Sequence, residues 1–141
     1  MAASAGGLKV EGVDRLVKKL ASLKRAAQGK VARRAMGEGT KLTLKGVKRR
    51  TPRDTGTLRA SQGRKQKTYR TSGVTIGWVG PREGFVRETP KGRRDPRKYA
   101  HLVEFAPGKS FLRRTIDEEK VQIQAAIARK LAEGIEQEAK K

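Results

Sequence analysis

Between Lys30 and Arg70 the chain carries fourteen basic residues and only two acidic ones. A stretch so unbalanced cannot bury its charge, so it must fold with one side apolar and the other left positive. The imbalance is local. Residues 1–29 hold six basic and two acidic groups, residues 71–114 ten and four, and residues 115–141 five and six. The formal net charge of +21 therefore lies almost wholly before the last segment. Like charges at this density repel in an isolated fold, which predicts a polyanion or an acidic protein surface as the neutralising partner. Such contacts grip phosphates and carry little sequence information. No helix-turn-helix, zinc-finger or ribonucleoprotein signature supplies base reading.

A chain of 141 residues fits one domain, spanning 1–141. Hydrophobic residues make up 35% and aromatic ones 4%, so the expected core is modest and aliphatic, with oligomerisation as a natural source of further stability. No apolar run approaches the ~18 residues needed to span a bilayer, and Met1 to Gly7 lacks the regions of a signal peptide, so no membrane partner is expected. The absence of cysteine removes disulfides and thiolates and fits a reducing compartment.

Apolar spacing divides the chain. Val13, Leu16, Val17, Leu20 and Leu23 recur at helical intervals, predicting an amphipathic helix over 12–27 with Gly29 as its break. From Lys30 to about Arg50, Val31, Ala35, Met36, Gly39, Leu42, Gly46 and Val47 share one broad side. Opposite them lies a stripe of Lys30, Arg33, Arg34, Lys41, Lys45 and Lys48. Glycines at 37, 39 and 46 imply an irregular helix or a closely packed neighbour, and Thr51-Pro52 ends it. Thr68 to Arg70 and Val74 to Val79, joined at Ser72-Gly73, read as a β-hairpin. Residues 81–98 are basic and without periodicity, which predicts a mobile loop containing Arg93, Arg94 and Arg97. Tyr99 to Phe105 is apolar and of either type. Leu112, Ile116, Ile123, Ile127 and Leu131 then mark a helix over 110–138, with Ser110 as its N-cap. The blocks are 8–50, two amphipathic helices; 51–109, a sheet region; and 110–138, the last helix.

Chemistry is scarce. Asp54, His101 and Glu104 form the one constellation resembling a metal or acid/base site. The alternative, in which Glu104 simply pairs with surplus arginine, is favoured because no second histidine exists. Neither a phosphate-cradling glycine loop nor a Gly-x-Ser-x-Gly elbow is present, so neither a catalytic residue nor a cofactor is assigned. Asp54-Thr55-Gly56 reads as a chain reversal, and Trp78 as a core anchor of the sheet rather than a base-stacking platform.

The order of these motifs resembles the neck or tail-completion proteins of long-tailed double-stranded DNA bacteriophages. The resemblance covers about residues 8–135. It rests on Val10-Glu11-Gly12-Val13 before a leucine-spaced helix, a basic second helix, and the run Thr51-Pro52-Arg53-Asp54-Thr55-Gly56-Thr57-Leu58-Arg59-Ala60-Ser61. Val79-Gly80-Pro81, Tyr99-Ala100-His101-Leu102-Val103-Glu104-Phe105 and Phe111-Leu112-Arg113 follow in order. The chain departs from that family at Ala106-Pro107-Gly108, where a glycine usually follows the Val-Glu-Phe segment, and in lacking proline around Phe-Leu-Arg. The resemblance implies a non-enzymatic virion protein of the neck or tail, assembled in the bacterial host cytoplasm as a homo-oligomeric ring. A hexamer is preferred and a dodecamer comes second. Its implied partners are the adjoining head-completion or adaptor proteins, the tail terminator, and the packaged double-stranded DNA in the channel. Asp54, Thr55, Gly56, Trp78, Tyr99, Glu104, Phe105, Phe111 and Leu112 are then the turn and packing positions of the family motif.

The expectation is thus an α+β fold: a small antiparallel β-sheet packed against two N-terminal helices and a long C-terminal helix. Two other functions compete with a connector. One is a free, sequence-nonspecific nucleic-acid-binding protein, whose duplex affinity would fall steeply with salt. The other is a metal-dependent hydrolase resting on His101.

Overall fold

A computed structural model describes residues 13–141. The Met1 to Gly7 start and the Val10 to Gly12 part of the leading motif lie outside the described residues. The fold is α+β. Helix α1 (Val13–Ala26) runs through a π-helical turn, Ala27–Val31, into α2 (Ala32–Arg50). A short α3 (Thr57–Ser61) leads into strand β1 (Gln62–Tyr69), which pairs antiparallel with β2 (Val74–Pro81). A second small hairpin joins β3 (Arg87–Thr89) to β4 (Gly92–Arg94), followed by α4 (Pro96–Phe105) and α5 (Leu112–Ala139). No helix among the described residues is long and apolar enough to cross a membrane.

Helix α2 is the centre of the arrangement, with α5 packed along it on one side and the β1–β2 hairpin on the other. Two of the three glycines that weaken its helix propensity are places where neighbours come closest, whereas a Cβ at Gly37 would make only ordinary contact with Gln66 at 3.6 Å. A Cβ on Gly39 would meet Ile127 and Ile123 of α5, and one on Gly46 would lie 2.5 Å from Glu119 Oε2 and 2.7 Å from Thr115 Cγ2. Close approach, rather than irregularity, explains these two. Val31, Ala35, Gly39, Gly46 and Val47 are buried as the periodicity predicts, whereas Leu42 is left partly open. One hydrophobic cluster joins Val47, Leu58, Ala100 and Phe111, with Val79, Tyr99, Val103 and Leu112 packed against it. Buried hydroxyls satisfy themselves locally: Thr51 Oγ1 donates to Val47 O at 2.6 Å and Thr115 Oγ1 to Phe111 O at 2.6 Å.

Several expectations are corrected. Gly29 does not break the chain's helix, because a π turn takes up an extra residue while the backbone stays hydrogen-bonded. The 81–98 segment is not one irregular loop: it holds the β3–β4 hairpin, with Gly92 at φ +100°, and the first turn of α4, where Asp95-Pro96 places proline at the start of a helix. Tyr99 to Phe105 is helical. Ser110 does not cap α5, whose N-cap position is Phe111. Trp78 is not a core anchor and is 44% exposed. The pleat of β2 turns Thr75, Gly77 and Val79 inward, and a Cβ at Gly77 would already crowd Thr40 and Met36, so the large alternate residues face out.

Candidate functional site

The basic stripe of α2 becomes part of a larger feature. Arg33, Arg34 and Lys41 meet Arg64 from β1 and Lys130 from α5 around an open trough of about 480 Å³, whose wall also includes Glu38 and Gln66. Arg64 is held there by donating to Gly37 O at 3.0 Å and Thr40 Oγ1 at 3.4 Å. Lys30 lies at the other end of the stripe near Glu138. The carboxyl of Glu138 is held below its ordinary value first by the hydrogen bond from Lys141, then by the fields of Lys30 and Arg34. Lys45 and Lys48 continue the stripe beyond the trough. Among the described residues none of Lys30, Arg33, Arg34, Lys41, Lys45 or Lys48 forms an ion pair. By contrast, Arg49 and Arg50 point to α5: Arg50 bonds Glu118 and Glu119 at 2.6 Å each, and Arg49 also bonds Glu119. Arg64 and Lys130 escape sequence reasoning because the other basic residues of their elements, such as Lys65 and Lys67 on β1 and Arg129 on α5, point to other faces, so no basic stripe forms.

The motif residues gather elsewhere. Pro52, Asp54, Thr55, Gly56 and Leu58 form one wall of a cleft of about 290 Å³, faced by Arg94, Tyr99, Val103 and Lys109. Gly56 adopts φ +74°, the left-handed conformation the reversal needs, and Thr55 Oγ1 donates to Thr57 Oγ1 at 2.9 Å. Asp54 accepts from Lys91 Nζ at 2.6 Å, which lowers its pKa. Burial pushes the Tyr99 phenol up, with Arg94 acting against it. Arg94 is half-buried, and its Nε has no hydrogen-bond partner among the described residues. Arg93 and Arg97 are exposed, 4.0 Å from Glu88 and 2.5 Å from Glu83 respectively. None of these three arginines lines the trough.

Glu104 does not pair with arginine. Its Oε2 accepts the N–H groups of Phe111 and Leu112 at 2.9 Å, and its Oε1 accepts that of Arg113 at 2.8 Å and the Ser110 hydroxyl at 2.9 Å. The carboxylate thus supplies the cap that α5 lacks locally, from the end of the preceding helix. Burial acts to raise its pKa, but the four donated bonds outweigh burial and the net shift is downward. The turn between the two helices is Ala106 to Lys109, with Gly108 at φ +70° and Lys109 N donating to Ala106 O at 3.1 Å. Asp54, His101 and Glu104 are given separate surroundings: the first is bound to Lys91, the third caps α5, and His101 is exposed on α4.

Apolar side chains are also left open. Phe105 is 71% exposed on α4 beside Leu102, and Leu16, Val17 and Leu20 of α1 are each more than half exposed. Phe105 is therefore not a packing residue within the chain, unlike Phe111, which is fully buried. Among known families, the one described as "Bacteriophage HK97-gp10, putative tail-component" matches residues 14–105, from α1 to the end of α4. No curated protein and no solved structure matches.

Proposed function

We propose, from the premise that this chain belongs to the HK97-gp10-like family of bacteriophage tail components, that it stands at the neck of the particle and joins head to tail as a ring around the DNA channel. A structural place in the tail comes with the family, as does contact with other virion proteins. The observation that carries the finer reading is the trough. Cations from α2, β1 and α5 converge there, and the stripe that feeds it has no ion pairs among the described residues. Repeated around an axis, such a face gives many weak, sequence-blind phosphate contacts that become collectively strong. In this reading Lys30, Arg33, Arg34, Lys41, Lys45 and Lys48 face DNA, while Arg93, Arg94 and Arg97, lying apart from them, face adjoining acidic proteins. No catalytic step is assigned to Asp54, whose carboxylate is paired with Lys91 at the surface, or to Glu104, whose carboxylate caps α5.

Imaging the neck of purified particles tests the proposal. The expected result is density for this chain in a closed ring between head and tail, with the α2 stripe toward the channel. Its absence from purified particles, together with a free form that binds duplex DNA tightly, would overturn the connector in favour of a free DNA-binding protein.

A further inference from the structure

Because α2 is packed between the β1–β2 hairpin and α5, the outer faces of those two elements look away from it and cannot meet within one chain. On the hairpin the register sets Tyr69 opposite Val74, Lys67 opposite Ile76 and Lys65 opposite Trp78. All six are exposed, which leaves an apolar strip edged by two lysines. On α5, stepping ~100° per residue lines up Val121, Ala125, Ala128, Ala132 and Ile135 directly opposite the buried Ile123 and Ala126. All five are exposed, Val121 by 78%. A surface helix with one packed side carries polar residues on the other. This one is apolar on both.

We propose that α5 of one copy lies across the outer hairpin face of the next, seating Val121 to Ile135 over Val74, Ile76 and Trp78. The inference rests on the reading that the chain works in several copies, and it names the two faces that join them. The lengths match: the helix from Asp117 to Ile135 spans ~27 Å at ~1.5 Å per residue, and each eight-residue strand runs ~26 Å at ~3.3 Å per residue. The alanines allow close seating. Charge selects the occupant. Lys65 and Lys67 have no ion pair among the described residues, nor do Asp117 and Glu136, which flank the ends of the α5 line. Residues 115–141 are also the one segment where acidic groups outnumber basic ones, so α1 or α2 of a neighbour would bring cation against cation. A two-stranded sheet covered on one face is marginal, and a neighbour's helix completes it. The contact uses two different patches, so it propagates head to tail and closes into a ring when the inclination between the patches suits.

The chain has no cysteine and a single tryptophan, which makes the test direct. Ile76→Cys and Ala128→Cys variants, both at exposed positions, are mixed and oxidised across a concentration series while mass and Trp78 emission are followed. The mixed disulfide is expected to exceed either symmetric one several-fold. Trp78 emission is expected to move to shorter wavelength as the wild-type chain associates, and Ala128→Arg to abolish that movement. Predominance of a symmetric disulfide, with mass still rising, would overturn the pairing and leave the multi-copy reading standing. A monomer at every concentration, with unmoved emission, would overturn both.

Discussion

A single carboxylate, that of Glu104, receives three backbone N–H groups of the first turn of α5 and a hydroxyl. Glu104→Ala leaves those donors without their acceptor, at a cost of about 2 kcal/mol, readable as a lower midpoint in urea or thermal unfolding. Glu104→Gln keeps one acceptor oxygen and is expected to lose less. The pH dependence follows from the direction of its shift. Because the folded carboxyl titrates below the ordinary value of 4.5, the unfolded chain takes up the proton first as pH falls. The stabilisation is therefore complete well above 4.5 and is lost as pH drops through the lower folded value. Unfolding midpoints of wild type and Glu104→Gln, measured from about pH 7 to about pH 3, are expected to converge at the acid end. A gap that stays constant over the range would refute this account of the cap.

At the scale of elements, two glycines of the long N-terminal helical run make opposite predictions. Gly46→Ala gains helix propensity of ~1 kcal/mol but drives a methyl into Thr115 and Glu119, and a net loss of about 1–2 kcal/mol is expected from unfolding curves. Gly29→Ala meets nothing within 4 Å and is expected to stabilise by about 0.5–1 kcal/mol. The periodicity of α2 and α5 makes these helices legible, since burial against one another leaves a 3.6-residue signature in sequence. Strand β1 is legible only at its end, Thr68 and Tyr69. The rest of it, Gln62 to Lys67, is polar because Arg64 and Gln66 face α2 while Lys65 and Lys67 sit on an outer face that nothing in the chain covers. Trp78 misleads for the same reason: alternation reveals that two faces differ, not which one is inside. The cleft's two walls are visible as separate motifs, but their meeting depends on α3 packing against α4, a contact no local pattern encodes. Glu104 stands out in the sequence yet suggests the wrong partner, because a cap donated from another helix has no sequence spacing.

For the whole molecule the governing quantity is +21 charges on one small body. Screening their mutual repulsion is expected to raise the melting temperature as sodium chloride goes from about 10 to 150 mM, over which the Debye length shrinks from ~30 to ~8 Å. Scanning fluorimetry reads this, and a flat or falling curve would mean that the cations are compensated within the fold. Reversing Arg33 and Lys41 to glutamate is expected to weaken duplex binding about equally for all sequences. It is also expected to reduce the salt slope by about 0.9 for each phosphate that is no longer neutralised. Titration by fluorescence anisotropy at several salt concentrations measures both. One junction governs how this body meets the outside. The turn at Ala27–Val31 holds one residue more than an α-helical turn would, and the wider turn absorbs that residue so that the helix on either side keeps its phase. Leu16, Val17 and Leu20 are therefore aimed by that phase together with the contacts α1 makes on α5. Removing Gly29 would close the junction to an ordinary α-helical turn and leave that apolar stripe pointing nearly where it does, whereas removing Arg25 from the regular part of α1 would swing it by ~100°, about a quarter of the way around its axis.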